Sequence, residues 1–292
     1  MPSLPPFFET YQQPIQTALN AFVPAPAAGV AGTPVVNAMR TTLLAPAKRV
    51  RAVLVLLSAD LCGGAPTFAM PAACAVEAIH ASSLMLDDLP SMDDAELRRG
   101  QPAAHIVFGE AVTILAAFGL LNEAFGHIAR SYDAGLSQRV TATYANAVGL
   151  DGLIAGQAED VLSSDAQITF EALERIHRRK TGVLFSAAAS AGALTAGATM
   201  EDIGSLTAYA KNLGLAFQIV DDLLDVTGTT AETGKAVLAD ARKTTFVSFS
   251  GVDGARALAG ELCETAKTAL APFGRRAAPL HALADFVAAR RG

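Results

Sequence analysis

The chain contains no tryptophan, and aromatic residues make up only 6% of its 292 positions. Large rings cannot fill its interior, so aliphatic side chains and alanine must. Charge is also sparse: 17% of residues are charged and 51% are hydrophobic, which leaves ample material for a core. Positive charge is not in excess, since 22 Lys and Arg stand against 28 Asp and Glu, a net charge of −6. Binders of nucleic-acid backbones usually carry a basic face, so nucleic acid is not an expected partner. Phosphates held through a divalent cation remain compatible with an acidic chain. The only cysteines, Cys62, Cys74 and Cys263, lack metal-ligand spacing and suit free thiols in a reducing compartment. The opening MPSLPPFFETYQQ has neither the basic start nor the apolar run of a secretory signal, and the expected location is the cytoplasm.

Internal repeats, charge blocks and long low-complexity linkers are missing too. So is strand-like alternation: apolar residues recur at steps of three and four, as in Leu206, Tyr209, Leu213, Phe217, Val220 and Leu224. Val53 to Leu57 resembles a strand in isolation, but its helical neighbours favour helix. Thr169 is placed to cap a helix running through Phe170, Leu173 and Ile176, with Glu171 in its first turn. Residues 182–200 carry no charge and are long enough to span a bilayer. They are mostly Ala, Gly, Ser and Thr, which favours a closely packed interior helix or helix pair over a membrane span. The expectation is one all-α domain over residues 1–292, with loops near 61–66, 89–103, 131–137, 163–168 and 226–245.

Two acidic clusters interrupt this apolar chain. Asp87-Asp88-Leu89-Pro90-Ser91-Met92-Asp93 is followed by Arg98-Arg99-Gly100, and Asp221-Asp222-Leu223-Leu224-Asp225 ends a strongly apolar stretch. Carboxylates gathered this way repel one another unless a cation joins them. Mg²⁺ prefers oxygen ligands and leaves room for substrate phosphates. Asp221 and Asp225 are four apart and share a helix face, as do Gln218 and Asp222. A solvated face would normally mix both signs of charge and continue along the helix; this stripe is short and acidic. Asp87 and Asp93 are six apart, which is not a helical repeat, and Pro90 offers no N–H to a helix. The helix is expected to end or kink near Asp88, with the chain turning to bring Asp93 beside Asp87. Taken alone, this first cluster reads equally as an acidic loop, Arg98 and Arg99 as surface partners and His80 as a core histidine. If Arg98 and Arg99 point apart, each can hold a separate diphosphate with a fork that suits it better than lysine.

With these residues the chain resembles the trans-prenyltransferases, the isoprenyl diphosphate synthases. LDDLPSMDDAELRRG is similar to the longer bacterial form of the family's first aspartate-rich motif, and FQIVDDLLD to its second. Lys48-Arg49-Val50-Arg51, Glu77-Ala78-Ile79-His80, Gly156-Gln157 with Asp160, Lys180-Thr181-Gly182 and Gly234-Lys235 follow in matching order. The resemblance implies an all-α bundle around a deep central cavity, used as a homodimer. It implies that Asp87, Asp88, Asp93, Asp221, Asp222 and Asp225 bind Mg²⁺, three ions with substrate present. Arg98, Lys180, Thr181, Gln218 and Lys235 would hold the allylic diphosphate, and Lys48, Arg51, His80 and Arg99 that of isopentenyl diphosphate. Ser82 and Ser83, the fifth and fourth residues before the first Asp, would leave room for a long tail. That favours C20 geranylgeranyl diphosphate over C15 farnesyl diphosphate. A non-catalytic prenyl-diphosphate-binding subunit and a class I terpene cyclase are the other readings. The pattern departs from the family where Pro46-Ala47 replace a customary Gly-Gly before Lys48, and where Ala52 replaces a customary Pro after Arg51. It departs again where Leu86 replaces a His and Arg242 a Gly.

Overall fold

The computed structural model describes residues 5–26, 29, 32–163, 168–227 and 244–290. Thirteen α-helices account for nearly all regular structure among them. In order they are α1 (Pro6–Phe22), α2 (Thr33–Leu44), α3 (Val50–Leu61), α4 (Pro66–Asp87) and α5 (Ala104–Phe108). There follow α6 (Glu110–Ser131), α7 (Ala134–Val148), α8 (Leu153–Leu162) and α9 (Phe170–His177). A π-helical turn, Arg178–Gly182, runs into α10 (Val183–Thr195), and α11 (Met200–Thr227), α12 (Phe246–Ala269) and α13 (Ala278–Ala288) complete the bundle. The expected all-α architecture is the one observed. Thr169 caps α9 as its position suggested, its hydroxyl oxygen accepting the Ala172 N–H at 3.2 Å. The expected loop over 131–137 shrinks to Tyr132 and Asp133, because the Asp133 carboxylate caps α7 through the N–H groups of Gly135 and Leu136. The loop expected over 226–245 falls largely outside the described residues.

Helix α3 lies at the centre, packed between α4 and α10. Its run Ala52 to Ala59 is buried on every side, which explains why Val53 to Leu57 shows no amphipathic period. The uncharged stretch after residue 182 forms α10, also a core helix. Its small residues permit close approach: a Cβ on Gly192 would sit 2.1 Å from the Val55 carbonyl oxygen. Around this centre, α6 covers α4, α7 covers α10, and α11 carries α12 along its length. Helices α4 and α6 are long and apolar enough to cross a bilayer, but 67% of the apolar window of α4 is buried in protein.

Pro71 interrupts the hydrogen-bond ladder of α4, and a tyrosine repairs it. The Tyr132 hydroxyl accepts the Ala72 N–H at 3.1 Å and donates to the Phe68 carbonyl at 3.1 Å. Tyr144 donates to the Ala72 carbonyl at 2.8 Å. These bonds fix the course of the helix that carries His80, Ser83 and Asp87 toward the site.

Candidate active site

Helix α4 delivers the first acidic cluster and ends there. Asp87 is its last residue, and Pro90 prevents continuation. The Asp93 N–H then donates to the Asp87 carbonyl at 2.9 Å, closing the turn expected from their spacing. Both side chains face a cavity of about 480 Å³. Asp88 does not join them. Its carboxylate is buried and gripped by Arg98, whose Nε lies 2.9 and 3.1 Å from the two carboxylate oxygens. Of the six aspartates grouped from sequence, Asp88 is thus engaged by Arg98 and does not line the cavity.

The arginines are fixed by structure that periodicity did not reveal. Strands β1 (Leu97–Arg98) and β2 (Gln101–Pro102) form a hairpin turning through Arg99 and Gly100, with φ of 54° and 73°. Two successive positive φ values are the mark of a tight primed turn. Arg98 is bonded to Asp88, while Arg99 lies in the field of Glu77 and Arg49 as well as of Arg98 and Asp88. The two guanidinium groups thus have different partners.

The opposite wall comes from α11. Asp221 and Asp225 line the cavity one turn apart, alongside Phe217 and Gln218. Asp222 is buried deeper: one oxygen accepts from Gln218 Nε2 and the other from the Phe246 N–H, both at 3.0 Å. It ties the start of α12 to α11. Phe217, one of the helically spaced apolar residues, packs against Phe185 of the core and also forms cavity wall beneath Arg290, whose guanidinium lies 4.1 Å from the ring centre. Arg290 also pairs with Asp221 at 2.9 Å. It follows α13 without any motif, and no local signal marked it.

Lys180 enters from a third side, on the π-helical turn. Its ammonium lies 2.7 Å from Asp160 on α8 and 3.5 Å from Asp87. Burial opposes its charge, but Asp87, Asp160 and Asp93 together hold its pKa above the usual lysine value. Burial lifts Asp87 above the ordinary carboxylate range despite Lys180. The neighbouring Thr181 hydroxyl donates to Gln218 Oε1 at 2.9 Å, so α11 and the turn are joined at the site. π-Turns often occur at functional positions, where the extra residue redirects side chains.

Lys48, Arg51, His80 and Arg99 line the far part of the same cavity, with Arg49 and Glu77. Arg51 is buried with its guanidinium 4.8 Å from the Phe185 ring centre, and burial pulls its pKa down to about 10. Burial, then Arg51, Arg99, Arg98 and Arg49, hold the His80 imidazole neutral, well below its ordinary pKa. Ser83 is on the cavity wall, whereas Ser82 is buried and its hydroxyl donates to the Ala117 carbonyl of α6 at 2.8 Å. The structure thus separates this pair: one faces the cavity, the other the α4–α6 seam. Lys235 lies outside the described residues. Arg49, Glu77, Asp160 and Arg290 are site residues to which the sequence alone assigned no role.

Among the described residues, no three His, Cys, Asp or Glu side chains converge as a ready-made metal cluster. The carboxylates that line the cavity include Asp87 and Asp93 on one wall and Asp221, Asp222 and Asp225 on the other, a set that still fits Mg²⁺. That ion keeps waters and takes one or two carboxylates together with substrate phosphates.

Residues 33–258 match the model of the polyprenyl synthetase family. A chloroplastic geranylgeranyl pyrophosphate synthase of Catharanthus roseus is 45% identical over 261 residues, covering 87% of this chain and 73% of the relative. An apo FPP/GFPP synthase of Zymomonas mobilis superimposes with a TM-score of 0.86 at 32% identity, over 97% of this chain and 98% of that one. The geranyltransferase of Helicobacter pylori, complexed with magnesium and isoprenyl diphosphate, gives 0.84 at 26% identity, over 99% and 97%. The family match runs through every described wall of the cavity except Arg290, and the chain belongs to the polyprenyl synthetase family of prenyltransferases.

Proposed function

We propose that this cavity condenses isopentenyl diphosphate with an allylic diphosphate, and that C20 geranylgeranyl diphosphate is the main product. One observation carries the reading: a single cavity holds two facing acidic walls and two separate cationic groups. Asp87 and Asp93 with Asp221 and Asp225 are the candidate Mg²⁺ ligands, with three ions at full occupancy. Asp88 and Asp222 would hold Arg98 and Gln218 in place. Arg98 and Lys180, with Thr181, Gln218 and Lys235, would bind the allylic diphosphate. Lys48, Arg51, His80 and Arg99 would bind that of isopentenyl diphosphate.

Bound Mg²⁺ would neutralise charge on the leaving diphosphate. Arg98 and Lys180 would hold that group as its C–O bond breaks, adding stabilisation where negative charge develops. The second cationic group would fix the isopentenyl double bond against the allylic carbon, lowering the entropic part of the barrier. Leu84, Leu86, Leu184 and Phe217 would keep water from the allylic cation. His80 can donate an N–H to a diphosphate oxygen. Two diphosphate pockets favour a synthase over a cyclase, which ionises one substrate.

The small Ser83 on the cavity wall and the products named for the C20-forming relatives support the chain length. The homodimer would use the outer face of α5 and α6, where Ile106, Val107, Ile114, Leu115 and Phe118 are exposed. The three free thiols suit the cytoplasm. Incubation with Mg²⁺, isopentenyl diphosphate and C5, C10 or C15 allylic diphosphates tests the reading. Elongation to C20 is expected. Cyclised hydrocarbon, or binding without turnover, would refute it.

A further inference from the structure

We propose that Arg49 and Glu77 form a buried staple that presets the isopentenyl diphosphate pocket by positioning Lys48, Arg51 and Arg99. The proposal rests on the functional reading above and extends it to two residues that need not touch substrate. Arg49 stands at the start of α3 with φ of 52°, a left-handed conformation uncommon outside glycine. Its side chain folds back over the loop that presents Lys48. One terminal nitrogen donates to the Leu43 and Ala45 carbonyls at 2.6 and 2.8 Å, the end of α2. The same nitrogen lies 3.5 Å from Gln16 Oε1 on α1. The other donates to Glu77 Oε2 at 3.2 Å, and both side chains are nearly inaccessible at 2% and 3%. A planar fork bonded to three elements closes residues 45–49 into a ring.

Glu77 completes the ring from α4. An arginine at the cap position cannot accept a bond from the first turn of α3, and its side chain makes none there. Glu77 supplies that acceptor from outside: its Oε1 takes the Ala52 N–H at 3.1 Å. A carboxylate at a helix N-terminus is also favoured by the helix dipole. The bond exists because position 52 is alanine; the proline customary there has no N–H to give. The Pro46-Ala47 substitution is accommodated by the same ring. Neither residue takes a positive φ; the left-handed residue of this loop is Arg49. Glu77 is also the carboxylate set among Arg49, Arg51 and Arg99. It holds these cations together before any diphosphate arrives, so binding requires little rearrangement.

Calorimetric titration with isopentenyl diphosphate alone, and steady-state kinetics in both substrates, test the staple. Arg49→Met should raise Kd and KM for isopentenyl diphosphate by about tenfold or more, with the allylic KM changed by less than about twofold. Arg49→Lys should not rescue binding, because an ammonium cannot span the carbonyls and Glu77 as a fork does. Glu77→Gln, which keeps an acceptor for Ala52 but loses the charge, should fall between wild type and Arg49→Met. If Arg49→Met does not fold, Arg49→Lys and Glu77→Gln carry the same readout. Isopentenyl diphosphate binding at wild-type strength in the folded variants overturns the staple, as does an equal rise in both KM values. Wild-type protein that fails to bind isopentenyl diphosphate overturns the functional reading itself.

Discussion

Gly156 illustrates how a residue without chemistry can set the rate. It lies on α8 against the π-helical turn that carries Lys180. A Cβ there would meet the Lys180 backbone nitrogen at 2.4 Å, Arg179 Cβ at 2.8 Å and the Arg179 carbonyl carbon at 2.9 Å. Ordinary contact needs about 3.5 Å, so Gly156→Ala must push the turn away by about 1 Å. The turn has little room to retreat: on its other side, a Cβ on Gly214 would stand 2.8 Å from Gly182 Cα. Over-packing of this kind costs about 1–3 kcal/mol. A displacement of about 1 Å at a binding group can cost up to about a hundredfold in rate. Lys180 now sits 2.7 Å from Asp160, which α8 carries one turn beyond Gly156. Gly156→Ala should therefore lower kcat about 10- to 100-fold, with a lower thermal midpoint. Incorporation of labelled isopentenyl diphosphate and a circular dichroism melt measure both. Gly204 on α11 is exposed, and a Cβ there would meet nothing within 4 Å. Gly204→Ala should leave kcat unchanged and stabilise by about 0.5–1 kcal/mol. Wild-type kcat in Gly156→Ala would show that this close approach does not position Lys180.

Asp87→Ala and Asp221→Ala should each lose about 4 kcal/mol of transition-state stabilisation, roughly a thousandfold in rate, in folded protein. Near-full activity in purified Asp221→Ala would remove α11 from the site. Ser83→Phe, on the cavity wall, should shorten the product, as read by chromatography of the dephosphorylated alcohols. Ser82→Phe, buried at the α4–α6 seam, should instead cost about 1–3 kcal/mol of stability. A C20 product from Ser83→Phe would take the tail channel away from this stretch of α4. Tyr132→Phe should cost about 1–3 kcal/mol in urea unfolding, because the Ala72 N–H and the Phe68 carbonyl both lose their partner. An unchanged midpoint would show that the proline in α4 needs no such repair.

The helical spacing, the two aspartate-rich motifs and the turn returning Asp93 to Asp87 were legible from sequence. Each is a local matter, fixed by residue period or by Pro90. The hairpin at Arg98–Arg99 was not foreseen, because two-residue strands leave no period to detect. Its turn glycine, Gly100, was the one available signal.

What the sequence determined by itself is the inventory of charge and the helices that carry it, since periodicity and covalent constraint act over a few residues. Only the tertiary structure decided how those charges divide. Asp88 and Asp222 resemble their neighbours in sequence, yet burial commits one to Arg98 and the other to the Phe246 N–H. Arg49 lies between two expected diphosphate ligands, yet its fork turns back to α2 and Glu77. A buried charge must take whatever partner distant helices bring within reach, and that partner is set by packing.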